Sequence, residues 1–202
     1  MVRKIGLTGG IASGKSKVAE ILANMLDCSR IDADEICGLL LEPRAEGWQE
    51  FTGMLGSEYL APDGTINRQL LRQDLFADNG LRMRVNSIIH PLVQKTIIKQ
   101  MEDIAASDPG ARVVVEVPLL YEVQWESLFD TVVVVYADYE TCLRRLMVRD
   151  GKTRDAAVKE LESQLPLTEK VKRADHVIDN SGMLAATILQ VEQLVHLFKN
   201  GG

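Results

Sequence analysis

The segment Gly9-Gly10-Ile11-Ala12-Ser13-Gly14-Lys15-Ser16 has the spacing G-x-x-x-x-G-K-S, and residue types in that order hold phosphate. The glycines let the backbone curl until successive N–H groups converge on phosphate oxygens, and a helix starting just behind adds partial positive charge. Lys15 reaches the β- and γ-phosphates as a point charge, while the Ser16 hydroxyl is a ligand for Mg²⁺. Such a loop needs a strand before it and a helix after it. Lys4-Ile5-Gly6-Leu7-Thr8 is a short apolar run that reads as a buried strand, and Val18, Ile21, Leu22, Met25 and Leu26 recur at helical spacing. The context is that of a nucleotide-binding P-loop.

Two further groups of charged residues suit the same chemistry. Ser29-Arg30-Ile31 reads as a second strand running into Asp32-Ala33-Asp34-Glu35-Ile36, so both aspartates lie at the carboxyl edge of a sheet, where open α/β folds bind ligands. Asp32, with Glu35 three residues on, suits a helix cap and could help hold Mg²⁺ through water. Asp34 is left in the first turn for chemistry. The run Thr131–Asp138 invites comparison with a strand ending in a metal-binding acid, but a cap for the helix carrying Thr141 and Leu143 is the better reading of Asp138. That helix bears Arg144, Arg145 and Arg149. Arg145 and Arg149 are four apart and share a face. A basic helix leading into Asp150-Gly151-Lys152 has the form of a lid over ATP, because arginine's planar fork suits phosphate oxygens and keeps its charge.

These groups need a framework. Between about residues 42 and 106 strand-like runs vanish, and helices alternate with turns at Pro62-Asp63-Gly64 and Asp78-Asn79-Gly80. Leu70, Leu71, Leu75 and Phe76 recur at helical spacing, as do Val85, Ile88, Ile89, Val93, Ile97, Ile98 and Met101. A helical insertion there forms a candidate substrate lobe. Within it Arg68 reads first as a surface arginine and His90, before Pro91, as a helix-interior histidine. Arg112–Val117 is a β-branched run, hence a central strand buried on both faces. Pro118 ends it, and Leu119-Leu120-Tyr121-Glu122 follows at the active edge, where Glu122 is either a solvated carboxylate or a ligand contact. Thr153–Leu165 reads as a polar helix carrying Gln164, and Lys170–Asp175 leads into a last strand, His176–Ile178. Leu184, Ile188, Val191, Val195 and Phe198 form the inner face of a closing helix. The order implies a parallel, right-handed α/β core.

The chain of 202 residues suits one such domain, and its apolar fraction of 46% is ordinary for a globule. A formal charge of −6 argues against a nucleic-acid or anionic-membrane partner. Cys28, Cys37 and Cys142 lack metal-type spacing and read as reduced, partly buried thiols of a cytoplasmic protein. Arg3 and Lys4 are followed by too short an apolar run for a signal peptide, and no stretch matches a membrane span.

Among P-loop classes, a GTPase switch needs a guanine-reading Asn-Lys-x-Asp segment, which is absent. A motor ATPase is normally larger, with a strong metal-binding acid. A small-molecule kinase needs a compact core, an acceptor lobe, a base and an arginine-bearing lid, and all of these are present. Water must stay out while the acceptor hydroxyl lines up, which is the purpose of a closing lid.

Together, Gly9–Ser16, Ile31-Asp32-Ala33-Asp34, Asp63-Gly64 with Arg68, Ile89-His90-Pro91, Val117–Glu122, Arg145 with Arg149-Asp150, and Ala174–Asn180 stand in the order found in dephospho-CoA kinases. The resemblance spans nearly the whole chain. It implies an α/β P-loop fold with a nucleoside-monophosphate-kinase-like parallel sheet flanked by helices, a single domain over 1–202, a CoA-side helical insertion at about 35–106 and a lid at about 145–165. It implies transfer of the ATP γ-phosphoryl group to the ribose 3′-hydroxyl of dephospho-CoA, with ATP and Mg²⁺ required. By the same resemblance Asp34 accepts the hydroxyl proton, Lys15 and Arg145 neutralise charge on the transferring group, and Arg149 supports the lid. Gly9–Lys17 and Asn180 lie on the nucleotide side. Arg68, His90, Pro118, Leu119, Leu120 and Glu122 line the acceptor side, with Ser16 and Asp32 on the metal. One departure stands out: family members usually carry Thr after the Lys-Ser pair, contacting the α-phosphate, and Lys17 replaces that hydroxyl with an ammonium. The alternatives are a kinase for another small acceptor, such as a nucleoside monophosphate, and a nucleotide-binding module without turnover.

Overall fold

A computed structural model describes residues 4–200 except the side chain of Phe76; Arg3 and that side chain therefore lie outside the described residues. In chain order the elements are β1 (Lys4–Gly9), α1 (Lys15–Leu26), β2 (Ser29–Asp32), α2 (Ala33–Leu40), α3 (Glu46–Leu55), α4 (Arg68–Ala77), α5 (Asn79–Ser107), β3 (Val113–Glu116), β4 (Thr131–Tyr136), α6 (Tyr139–Asp150), α7 (Arg154–Leu161), α8 (Leu167–Arg173), β5 (His176–Asp179) and α9 (Leu184–Asn200).

The strands pair in the order β2-β3-β1-β4-β5, every pairing parallel. Parallel strands need both faces covered, and the central ones are apolar enough to allow it: Val113 to Glu116 and Thr131 to Val135 are all buried. On one face, Val18, Ala19, Leu22 and Leu26 of α1 and Val191, Leu194, Val195 and Phe198 of α9 pack with Ile5, Leu7, Val133 and Ile178. A smaller cluster joins Leu143 and Leu146 of α6 to Ala157 of α7. Asp138 caps α6, its carboxylate accepting the Thr141 N–H at 2.9 Å.

Contacts divide the chain into two compact units, one of residues up to Asp32 with those from Gln100 onward, and a helical one of Ala33–Lys99. In the helical unit Phe51 is fully buried and meets Tyr59 edge-on, while the Tyr59 hydroxyl donates to Asp74. The Asp63 carboxylate closes its turn by accepting from Thr65.

Three local expectations are corrected. Residues Asp78 to Gly80 do not separate two helices by an open turn: Asp78 accepts the N–H groups of Gly80 and Leu81 and starts the long α5, which runs on through Pro91. Helix α7 ends at Leu161, so Gln164 lies beyond it, in the stretch leading to Pro166. The basic run from Lys170 is helix α8 rather than a lead-in to β5.

Candidate active site

The loop after β1 bends on a hydrogen bond from Ser13 N–H to Gly10 O, with Ala12 (φ 59°) and Gly14 (φ 90°) in left-handed conformations. Crowding as well as φ demands glycine at position 14: a Cβ there would collide with Asn180 Nδ2. Asn180, just past β5, braces the loop. Its Nδ2 donates to Ser13 O at 2.7 Å, and its Oδ1 accepts from the Thr187 hydroxyl at 2.9 Å. Arg145 of α6 donates to Asn180 O at 2.9 Å and to Ser13 O at 3.5 Å. Lys15 Nζ donates to Gly10 O at 3.0 Å. Lys15, Ser16, Lys17, Arg145 and Arg149 line a cleft of about 280 Å³ with Ala12 and Gly14. A cleft with four cations beside main-chain amides is suited to a polyphosphate.

At its base, Ser16 Oγ donates to Glu116 Oε1 at 2.7 Å. Glu116 ends β3, is 3% exposed, and stands in register between Leu7 of β1 and Asp32 of β2. Its Oε2 has no hydrogen-bond partner and lies 3.5 Å from an Arg30 nitrogen. Burial pushes the Glu116 carboxyl above the usual carboxylate range, with Asp32 adding to the shift and Ser16, Lys15 and Arg30 opposing it. Among the described residues no group of three or more His, Cys, Asp or Glu could cage a metal ion. Mg²⁺ needs no cage, since it keeps its waters and takes one or two protein oxygens plus phosphate. Ser16 Oγ, Glu116 Oε2, which accepts no hydrogen bond, and Asp32 fit that sparse demand.

Arg149 forms a two-point pair with Asp150, which also accepts from Lys152, and Lys152 reaches Glu160. These bonds hold Asp150 well below the usual carboxylate range and link α6 to α7. Lys17 pairs with Glu20 on the exposed side of α1 at 3.0 Å.

The segment after β3 departs from expectation. Leu120 is fully buried, close beside Gly6 of β1, so its side chain packs in the core. Pro118 and Leu119 are half-buried. Glu122 is exposed but not free: its Oε1 pairs with Lys170 at 2.9 Å and accepts the Leu165 N–H at 3.1 Å.

In the helical unit, Asp34 lies in the first turn of α2 and Arg68 opens α4. The two charges act oppositely on the Cys37 thiol, which burial pushes up, so they share one neighbourhood. His90 is half-buried on α5, and burial lowers its pKa, keeping the ring neutral near pH 7. Glu116, Lys170, Thr8 and Gln164 were not among the residues expected to build the site. A lone acid closing an apolar strand was the signal for Glu116.

The dephospho-CoA kinase family model matches residues 3–186. The chain belongs to the dephospho-CoA kinase family. A curated dephospho-CoA kinase of Carboxydothermus hydrogenoformans is 42% identical over 195 residues, covering 96% of this chain and 94% of the relative. Among solved structures, a protein from Thermus thermophilus superposes with a TM-score of 0.82 at 28% identity, covering 100% of this chain and 99% of that one. A dephospho-CoA kinase from Campylobacter jejuni gives 0.71 at 29% identity, with the same coverage of both chains. The five-stranded parallel sheet flanked by helices is thus that of dephospho-CoA kinases, and membership makes the chain an ATP-binding kinase. Among the described residues no helix is long and apolar enough to cross a membrane.

Proposed function

We propose that this chain transfers the γ-phosphoryl group of ATP to the ribose 3′-hydroxyl of dephospho-CoA, giving CoA and ADP. The observation that carries the reading is the cationic cleft of Lys15, Arg145 and Arg149 around a P-loop whose serine sits on a buried carboxylate, in a chain of this family. Phosphoryl transfer runs through a loose transition state with charge spread over the equatorial oxygens, so catalysis is mainly positioning and charge stabilisation. P-loop amides and Lys15 hold the β- and γ-phosphates. Arg145, already oriented by Asn180 O and Ser13 O, turns its fork to the transferring group. Arg149 secures the lid segment at about 145–165 through Asp150. Asp34 accepts the 3′-hydroxyl proton, and Arg68 and His90 bind the acceptor, within a helical insertion that takes the CoA side. When bound, Mg²⁺ neutralises the charge on the β- and γ-oxygens; Ser16, with Glu116 and Asp32 reaching its waters, would hold it.

ADP release is measured by coupled assay with dephospho-CoA, AMP, CMP and no acceptor. Turnover with dephospho-CoA alone supports the reading. Turnover only with a nucleoside monophosphate, or none with any acceptor, overturns it.

A further inference from the structure

We propose that Lys170 is a positioning residue for phosphoryl transfer, its buried ammonium tying the Pro118–Glu122 segment to Leu165 and, through that stretch, to the P-loop. The role rests on the kinase reading above, but its physical basis is independent of the acceptor.

Lys170 is fully buried on α8, and an ammonium is kept in such a place only where partners repay its lost hydration. It has two, both on the segment after β3: Nζ donates to Pro118 O at 2.9 Å and pairs with Glu122 Oε1 at 2.9 Å. Each partner is shared. Pro118 O also accepts from the Thr8 hydroxyl at 3.2 Å, one residue ahead of the P-loop. Glu122 Oε1 also accepts the Leu165 N–H, and the neighbouring Gln164 Oε1 accepts the Ile11 N–H at 3.2 Å, inside the P-loop. From Thr8 the links run through Pro118, Lys170, Glu122, Leu165 and Gln164 to Ile11, and the main chain from Ile11 back to Thr8 closes the ring.

This circuit fixes the first half of the P-loop against the segment that follows β3. Two stretches of chain more than 40 residues apart meet on one oxygen of Glu122. It also gives Glu122 a structural part, since one of its oxygens takes both the Lys170 ammonium and the Leu165 N–H. Burial pulls the Lys170 pKa below that of an ordinary lysine, with Glu122 opposing the shift, as expected for a charge held for its bonds.

The test compares Lys170→Met, Glu122→Gln and the double variant with the wild type. A displacement of about 1 Å at reacting groups can cost ~10²-fold. For Lys170→Met we therefore expect kcat to fall by roughly 10- to 100-fold, with KM for ATP changing by less than about 3-fold. Glu122→Gln keeps an oxygen for both donors, and its kcat stays within about 10-fold of wild type. The double variant also removes the carboxylate that Lys170→Met leaves without its cation, so it recovers part of the melting temperature that Lys170→Met loses but not its kcat. Amide exchange of the free protein in Lys170→Met quickens at Ile11 and Leu165, while β4 amides keep their protection. The inference is overturned if Lys170→Met turns over within about 3-fold of wild type, if the double variant recovers kcat with stability, or if exchange rises evenly along the chain. Kinetic arms use whichever alcohol the wild type phosphorylates. Wild-type silence toward dephospho-CoA counts against the function proposed above, whereas the exchange arm needs no acceptor.

Discussion

Replacing Asn180 with alanine removes a side chain that is 8% exposed and bonded at both ends. Ser13 O loses its 2.7 Å donor, and the Thr187 hydroxyl loses its acceptor, in residues that are both fully buried. Each buried group left without a partner costs about 1–3 kcal/mol. Arg145 still approaches Ser13 O at 3.5 Å, which trims the first loss and puts the sum at about 2–4 kcal/mol. With a urea slope of roughly 2 kcal/mol per molar, the midpoint should fall by about 1–2 M. The fault lies under the P-loop, so ADP affinity measured by calorimetry on the folded protein should weaken as well. Asn180→Asp is the control. It retains an acceptor for Thr187 but turns a carboxylate oxygen toward Ser13 O, so its loss is at least as large. A midpoint shift below about 0.3 M in the alanine variant, or unchanged ADP affinity, would refute the bracing role.

Three other perturbations probe separate parts of the site. Asp34→Asn should lower kcat by ~10²- to 10⁴-fold while calorimetry finds ADP affinity intact; near-normal kcat removes Asp34 from the base role. Glu116 has a folded-state pKa above its unfolded value, so its contribution to stability is fully present below the unfolded pKa and is lost as pH rises through the folded one. Glu116→Gln should therefore melt higher than wild type, by a margin that grows from pH 5 to pH 8, while Mg²⁺-dependent turnover falls; a margin that shrinks over that range contradicts the burial account. Lys17→Thr removes only an exposed ion pair with Glu20, so stability should change by less than about 1 kcal/mol. ADP binding in that variant should become less salt-dependent, and an unchanged salt slope would take Lys17 off the phosphates.

Features written in local sequence were legible and those made by distant meetings were not. The P-loop declares itself because its glycines and its Lys-Ser pair are consecutive, and β3 and β4 because valine runs leave little choice but a doubly buried strand. Asp138 caps α6 with a residue three positions away, which spacing alone reveals. Glu116 is inconspicuous within its β-branched run, since its meaning comes from Ser16, 100 positions earlier. Lys170 sits among Lys172 and Arg173, a sequence that reads as a solvated basic face; its burial depends on Pro118, 52 positions away. Polar residues continue the helical pattern as far as Gln164, but Pro166 has no N–H to extend it. Leu120 sits in a motif that implies acceptor contact, and the structure buries its side chain near Gly6, whose open side is occupied first by the Phe129 ring.

The bracing of Ser13 by Asn180 bridges 167 positions, and Asn180 is in turn held by Thr187. During synthesis, the phosphate-gripping loop emerges from the ribosome early but stays unfinished until those two residues have followed it out. Nascent chains halted before that point should be unable to retain nucleotide, and a stall late in translation would leave a protein that is mostly made and wholly inactive.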